Sequence, residues 1–462
     1  MLRNGEKTMS NKTSTVNIRM LALEALMLVL EEKKTSSEVF RGVLDKYQYL
    51  AKQERAFFTR LCEGTMERTI ELDYVINQFS KVKTRKMKPA IRTILRMGTY
   101  QILYMSQVPD SAACNESVKL ASKKGFHTLK GFVNGILRNI SRNREDIKYP
   151  SKDKDFLSYL NITYSMPMWI LEKWSKTYSK EEIETILTYF AKERVTTIRI
   201  NTKKTDRDAY VKQLIEEGIK VTPGAYYENA FYITGYNSIQ NLPGYEEGYF
   251  VVQDESSMLA VLCAGLNKGM QVLDVCAAPG GKTMFAASLV GDNGKVTACD
   301  LSEHKALRIQ ENVNRMGLLN VEVNVWDATQ KCEDWVNSMD VVIADVPCSG
   351  LGVIGKKSDI KYNSSQEGID QLVSIQRDIL TNVQQYVKPG GVFLFSTCTV
   401  AKEENQDNAE WFLKNFDFTL ESLVPYLPQE LATTTANEGY LQLVPGVHQT
   451  DGFFIARFRK RT

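Results

Sequence analysis

Leu273-Asp-Val-Cys-Ala-Ala-Pro-Gly-Gly-Lys-Thr283 runs from a short apolar strand through a glycine turn into a helix. At the carboxyl end of a strand in an α/β sheet, such a turn is where a nucleotide-like ligand is held. Further strand-like runs follow at Lys295 to Cys299, Val321 to Val325, Val341 to Ala344, Val392 to Phe395 and Phe453 to Phe458, most of them separated by helical stretches. Alternation of this kind implies right-handed crossovers, and hence an α/β doubly wound, Rossmann-like and largely parallel sheet with helices on both faces.

The glycine loop admits two readings. Gly281-Lys282-Thr283 satisfies the end of a phosphate-binding G-x-x-x-x-G-K-[ST] pattern, and the apolar run ending in Asp345 could imitate the acidic strand of an NTPase. Yet Cys276 stands where the first glycine belongs, and Pro279 removes a backbone N–H from a loop that would have to wrap phosphates in N–H groups. S-adenosylmethionine fits better, since it carries no phosphate and needs close backbone approach at Gly280 and Gly281 plus an acid for its ribose hydroxyls. Asp300, 26 residues after Asp274 and ending the second strand, is placed to be that acid. Asp327, just past the third strand, could accept from the adenine amino group. Single acids at strand ends are often turn formers or helix caps; three in register on successive strands favour a ligand.

Two cysteines each end an apolar strand-like run: Cys348 in Asp345-Val-Pro-Cys348 and Cys398 in Ser396-Thr-Cys398. Both can therefore reach one pocket. Cytosine gives a reason for thiols there. Its C5 is a poor nucleophile, but a thiolate added to C6 turns C5 into an enamine carbon that can accept a methyl group, and a second thiol can assist the elimination. A free cysteine elsewhere usually packs as a small hydrophobe. The eight cysteines contain no C-x-x-C pair and scatter through apolar segments, so all are expected reduced, with no metal site.

At 462 residues, 43% hydrophobic and 24% charged, the chain is expected to form a soluble protein of several domains. No run approaches the length of a membrane span and Met1 to Lys7 has no apolar signal core, so no membrane contact and a cytoplasmic location are expected. The net charge of +3 hides an asymmetry. Residues 1–150 carry 27 Lys and Arg against 15 Asp and Glu, net +12, and residues 151–462 carry 31 against 40, net −9. A basic appendage on an acidic body suggests a polyanion partner, although a charge run is also what a solvated helix face looks like. The densest stretch is Lys81, Lys83, Arg85, Lys86, Lys88, Arg92 and Arg96.

The pattern divides the chain into five parts. Residues 1–15 are polar and expected to be a disordered tail, with Met9 a possible start. Residues 16–145 read as a helical bundle, with Ile18, Leu21, Ala22, Ala25, Leu26, Val29 and Leu30 at helical spacing, and likewise Val133, Ile136, Leu137 and Ile140. Residues 146–154 suit a linker, 155–250 a small α+β module that includes Thr197-Ile-Arg-Ile-Asn201, and 251–462 the α/β domain.

Asp274 to Thr283, Asp345-Val-Pro-Cys-Ser-Gly-Leu-Gly-Val353, and Ser396-Thr-Cys-Thr followed by Glu404-Asn405 together resemble the RNA cytosine-C5 methyltransferases, in particular the bacterial Sun/Fmu group, the ribosomal RNA small subunit methyltransferase B family. Gly64-Thr65, Leu72-Asp73-Tyr74, Arg96 to Tyr104 and Gly131 to Arg138 resemble the RNA-binding domain of the antitermination factor NusB, which this group carries ahead of its catalytic part. The resemblance implies that Cys398 is the nucleophile, that Cys348 assists release, and that Asp345 hydrogen-bonds the cytosine N3 and borders the cofactor. It further implies that Cys276, Ala277, Ala278, Pro279, Gly280, Gly281 and Lys282, with Asp300 and Asp327, hold S-adenosylmethionine. The implied substrate is 16S ribosomal RNA, naked or partly assembled, bound also by the small module, with no obligate protein partner. DNA cytosine methyltransferases use a Pro-Cys cysteine as nucleophile, and the Ser-Thr-Cys element separates this chain from them. Gly355 and Ser358 depart from the family, where a basic residue and a proline are usual. The competing readings are a non-enzymatic RNA assembly factor, against which the intact Cys348, Cys398 and Asp345 speak, and an RNA-stimulated NTPase.

Overall fold

The computed structural model describes residues 16–192 and 194–462. The expected disordered tail, 1–15, lies outside the described residues. The chain divides into two compact units, one ending at Glu172 and the other Lys173–Thr462.

The first unit is helical, as the periodicity predicts. Seven helices run from Ile18–Leu30 to Lys130–Arg142, and an eighth, Phe156–Thr163, follows a stretch without helix or strand at 147–155. That stretch is tied back to helix Thr69–Phe79: the Lys148 N–H donates to Gln78 and the Tyr149 hydroxyl to Glu71. Helix Pro89–Tyr104 lies at the centre, beginning on a proline whose missing N–H costs nothing at that position and burying Ile91, Ile94, Leu95 and Ile102. Its Arg96 reaches Asp73 with two hydrogen bonds, 2.8 and 2.6 Å, and Arg92 pairs with Glu31 at 2.6 Å. Two of the seven cations of the basic stretch are thus spent inside the bundle. Lys81, Lys83, Arg85, Lys86 and Lys88 are exposed on the segment before the helix.

In the second unit a small module comes first. Strands β1 (Thr196–Ile200), β2 (Lys220–Pro223), β3 (Ala230–Thr234) and β4 (Phe250–Val252) form an antiparallel sheet in the order β2-β3-β1-β4. Ile198 and Ile200 share a core with Tyr210 and Leu214 of helix Arg207–Glu216.

The larger sheet holds β5 (Gln271–Asp274), β6 (Lys295–Asp300), β7 (Val321–Val325), β8 (Met339–Asp345), β9 (Val387–Thr397), β10 (Phe418–Leu420), β11 (Tyr440–Leu443) and β12 (Phe453–Lys460). Its order is β10-β12-β9-β8-β5-β6-β7, with β11 also on β12; β5 to β9 are parallel, and β12 runs antiparallel to β9. Both faces are covered, because alternate residues of one strand feed two cores. Val341, Ile343, Val392 and Leu394 pack on one side with Phe285, and Val342, Ala344, Phe393 and Phe395 on the other with Phe412 and Phe458. Each large apolar side chain so buried contributes about 1.5–3 kcal/mol. From β5 the chain winds outward to β6 and β7, then returns to add β8 on the other flank. That reversal makes a crevice at the carboxyl ends of β5 and β8.

The turn after β8 is held against the start of β12 by two glycines. Gly352 N–H donates to Cys398 O at 3.2 Å and Gly452 N–H to Gly352 O at 2.9 Å. A Cβ at Gly352 would fall 2.1 Å from Gly452 O, so the backbones touch only without side chains. Among the described residues no helix is long and apolar enough to cross a membrane. Gly352→Ala should therefore lower stability by about 1–3 kcal/mol, the scale of overpacking. Chemical denaturation checks this; an unchanged midpoint would mean that the turn is not held by this contact.

Candidate active site

Parallel pairing of β8 with β9 sets Asp345 opposite Ser396, and the chain turns out of the sheet within two or three residues of each. The turns bring Cys348 Sγ and Cys398 Sγ to 3.3 Å, a thiol–thiol hydrogen-bonding distance. Both thiols are half-buried and neither is in a disulfide. They differ in surroundings. The hydrogen bond from Cys348 holds the Cys398 thiol below its ordinary value; Lys357 and Lys282 act the same way, against burial and the charge of Asp345. The same hydrogen bond, with burial and the charge of Glu404, pushes the Cys348 thiol well up. Cys398 is the thiol that ionises first.

Asp345 accepts from Ser396 Oγ at 2.7 Å on one carboxylate oxygen and from Lys282 Nζ at 2.7 Å on the other. Lys282 reaches it from the start of helix Gly281–Val290, across the crevice from β8. Burial pulls the Lys282 ammonium down, but Asp345 and Asp274 outweigh it and hold its pKa above the usual lysine value. Asp274, fully buried at the end of β5, accepts from Thr283 Oγ1 at 2.7 Å. Burial, with Asp345 and Asp300 nearby, pushes its carboxyl up to about 6. One lysine thus neutralises part of a field from three carboxylates at the ends of β5, β6 and β8.

The glycine loop is shaped by its own backbone. Ala277 N–H donates to Cys299 O at 2.8 Å and Gly280 N–H to Ala277 O at 2.7 Å, while Pro279 O accepts from Asn312. Gly280 has φ +101°, a left-handed conformation that side chains disfavour, and it opens helix Gly281–Val290. Asp300 is buried, accepts from Ala278 N–H at 3.2 Å and lies 3.5 Å from Lys305 Nζ. Cys276 sits on this loop with its thiol pushed well up by burial and by Asp274, Asp300 and Asp345. Asp327 follows β7, beside β6 through the Trp326 N–H to Asp300 O bond, and its carboxylate caps its own turn by accepting from Thr329 N–H and Oγ1. The structure therefore holds two neighbouring contact pairs, Cys348 with Cys398 and Lys282 with Asp345, the charges of the second acting on Cys398, with Asp300 joined to the loop and Asp327 at its margin.

A buried polar cluster beneath the thiols is absent from the sequence reading as a group with a role. Glu404 accepts from Ser349 N–H at 2.8 Å, from Ser349 Oγ and from Gln376 Nε2 at 3.0 Å, and Gln376 also donates to Pro347 O at 2.9 Å. Glu404 was visible only as part of a family signature. Gln376 had a fainter signal, a polar residue on the buried stripe of helix Gln366–Val383. The departures from the family pattern are both packed: a Cβ at Gly355 would lie 2.9 Å from Phe190 Cδ1, and the Ser358 hydroxyl accepts from Arg194 at 3.2 Å.

Three family models match the chain: 16S rRNA methyltransferase RsmB/F over residues 261–459, the NusB family over 16–142, and the ferredoxin-like domain of RsmF/B-like methyltransferases over 166–240. A Bacillus subtilis (strain 168) relative named probable ribosomal RNA small subunit methyltransferase B is 34% identical over 96% of this chain and 99% of its own length. The crystal structure of PH0851 superposes with TM-score 0.80 at 26% identity, over 96% of this chain and 99% of that one. NSun6 from Pyrococcus horikoshii, solved with SFG, shares the fold with TM-score 0.56 at 21% identity, over 64% of this chain and 98% of that one. With its NusB-like helical region, its Rossmann-like methyltransferase sheet and this full-length likeness, the chain belongs to the ribosomal RNA small subunit methyltransferase B family, whose cofactor is S-adenosylmethionine.

Proposed function

We propose that the protein methylates C5 of a cytosine in 16S ribosomal RNA through a covalent adduct between Cys398 and C6. The observation that carries this reading is the 3.3 Å thiol pair beside the Lys282–Asp345 ion pair at the switch point of the sheet. S-adenosylmethionine, when bound, supplies the methyl group. The residues present suit it: the backbone at Gly280 and Gly281 carries no side chain, and the buried Asp300 carboxylate, which accepts from Ala278 N–H and lies 3.5 Å from Lys305 Nζ, keeps acceptor capacity for ribose hydroxyls. Asp327 would accept from the adenine amino group, and Asp345 would border the cofactor.

The target cytosine must leave its stack, since C6 is shielded there. The Cys398 thiolate then forms a bond to C6, and the C5=C6 electron pair shifts toward N3. The Lys282 ammonium protonates N3, the new N3–H donates to the Asp345 carboxylate, and that proton returns to Lys282 when the aromatic ring is restored. After methyl transfer the C5 proton passes to water, its electron pair rebuilds the C5=C6 bond, and Cys398 departs as a thiolate. The Cys348 thiol hydrogen-bonds that leaving sulfur. The NTPase reading is not favoured, because the lysine that would meet a phosphate is engaged by Asp345.

The reaction is placed in the cytoplasm. The experiment for this reading is transfer of labelled methyl from S-adenosylmethionine to a 16S RNA transcript by the purified protein, followed by nuclease digestion. Label is expected in 5-methylcytidine; label in any other nucleoside would contradict it.

The exposed cations Lys81, Lys83, Arg85, Lys86 and Lys88 are assigned to the RNA backbone. Each phosphate contact contributes about 0.7–0.9 to the slope of log affinity against log salt. Replacing all five with Gln should flatten that slope and weaken RNA binding while cofactor affinity holds. A slope equal to that of the wild type would remove this segment from the RNA contact.

A further inference from the structure

Glu404 is fully buried, in the turn Lys402–Glu404 that follows Cys398, and the reaction outlined above gives it no task. Burying a carboxylate is costly unless its oxygens are occupied, and here the donors are Ser349, which follows Cys348, and Gln376, which also binds the residue before it. Ser349, on the C-terminal flank, donates its N–H at 2.8 Å and its hydroxyl. Gln376 donates at 3.0 Å to the same carboxylate and at 2.9 Å to Pro347 O on the N-terminal flank. Asn408 orients that amide by donating to Gln376 Oε1 at 2.7 Å, and the Ser349 and Thr399 hydroxyls meet at 2.8 Å. The turn that follows one thiol thus grips the turn that carries the other.

We infer that Glu404 is a positioning residue of the two-thiol site: it clamps the Cys348 turn to the Cys398 turn and sets a buried negative charge against the residue that follows Cys348. The inference rests on reading the pair as covalent machinery, and it adds what makes two neighbouring thiols unequal. The charges facing them divide by side. Lys282 and Lys357 act on Cys398, opposed by Asp345, whereas Glu404 acts on Cys348. Burial pushes the Glu404 carboxyl up, and the hydrogen bonds from Ser349 and Gln376 oppose that. With Glu404 neutral, Cys348 would lose the carboxylate charge that acts on it and the two thiols would compete for the proton on closer terms.

The test uses the full-length reduced protein without RNA, treated briefly with iodoacetamide across pH 6–9, with alkylation of each cysteine quantified by peptide mass spectrometry. In the wild type Cys398 is expected to react roughly tenfold faster than Cys348 near neutrality, since the thiolate is the form that is alkylated. Glu404→Gln, which keeps the side-chain shape, should shrink that preference severalfold and move Cys348 alkylation to lower pH. Glu404→Asp should retain the preference, and Ser349→Ala, which loosens the clamp but leaves the charge, should shrink it by less than Glu404→Gln does. Equal or reversed reactivity in the wild type, an unchanged ratio in Glu404→Gln, or a loss in Ser349→Ala as large as in Glu404→Gln would overturn the inference. No turnover enters these measurements, so a failure of the covalent mechanism on RNA would show separately, as methylation that survives loss of both thiols.

Discussion

The register between β8 and β9 is the constraint on which the site depends. Pairing Asp345 with Ser396 lines up two strands whose next few residues carry the thiols, and both strands are buried on both faces. A slip of one residue would turn the Val341–Ala344 and Val392–Phe395 sets to the wrong cores, so packing enforces the register. The same alignment places β5 on the other flank of β8, from which Lys282 reaches Asp345. The two thiols, the carboxylate and the lysine are thus held by backbone pairing rather than by loop contacts alone.

Charge then differentiates groups that the backbone brings together. A buried ion pair such as Lys282–Asp345 seldom stabilises a fold more than apolar packing would, because both ions are desolvated; its place at the switch point points to chemistry instead. Asp274 is the structural member of the acidic set, raised to about 6 and tied to Thr283, while Asp345 keeps its oxygens on groups that line the crevice. The hydrogen bond between the thiols comes first in making them unequal; around it, two lysines opposed by Asp345 act on Cys398, and Glu404 acts on Cys348.

Much of this was legible in the chain. Strand-helix alternation and the glycine turn predicted the doubly wound sheet, and Val321 to Val325 coincides with a strand as read. The short β2, β4, β10 and β11 were not foreseen, since three or four residues carry no readable period and their pairing is decided by the tertiary partner. The shared pocket for Cys348 and Cys398 followed from strand ends. Lys282 was read with the glycine loop, but its bond to Asp345 depends on sheet order, which no local pattern reveals. Glu404 and Gln376 escaped for a similar reason: hydrogen bonds between segments 28 and 55 residues apart leave no signature in either. The basic run was read as one patch, whereas Arg92 and Arg96 turn inward to Glu31 and Asp73 because they lie on a buried helix.

The central claim is that two neighbouring thiols take different parts in one covalent cycle. Incubating Cys348→Ala and Cys398→Ala proteins with 16S RNA and S-adenosylmethionine, then resolving them by denaturing electrophoresis, tests it most directly. A protein–RNA species that survives denaturation is expected from Cys348→Ala, which can attack but not release, and none from Cys398→Ala. Trapping by Cys398→Ala alone would reverse the roles, and two active variants that trap nothing would contradict covalent catalysis by this pair.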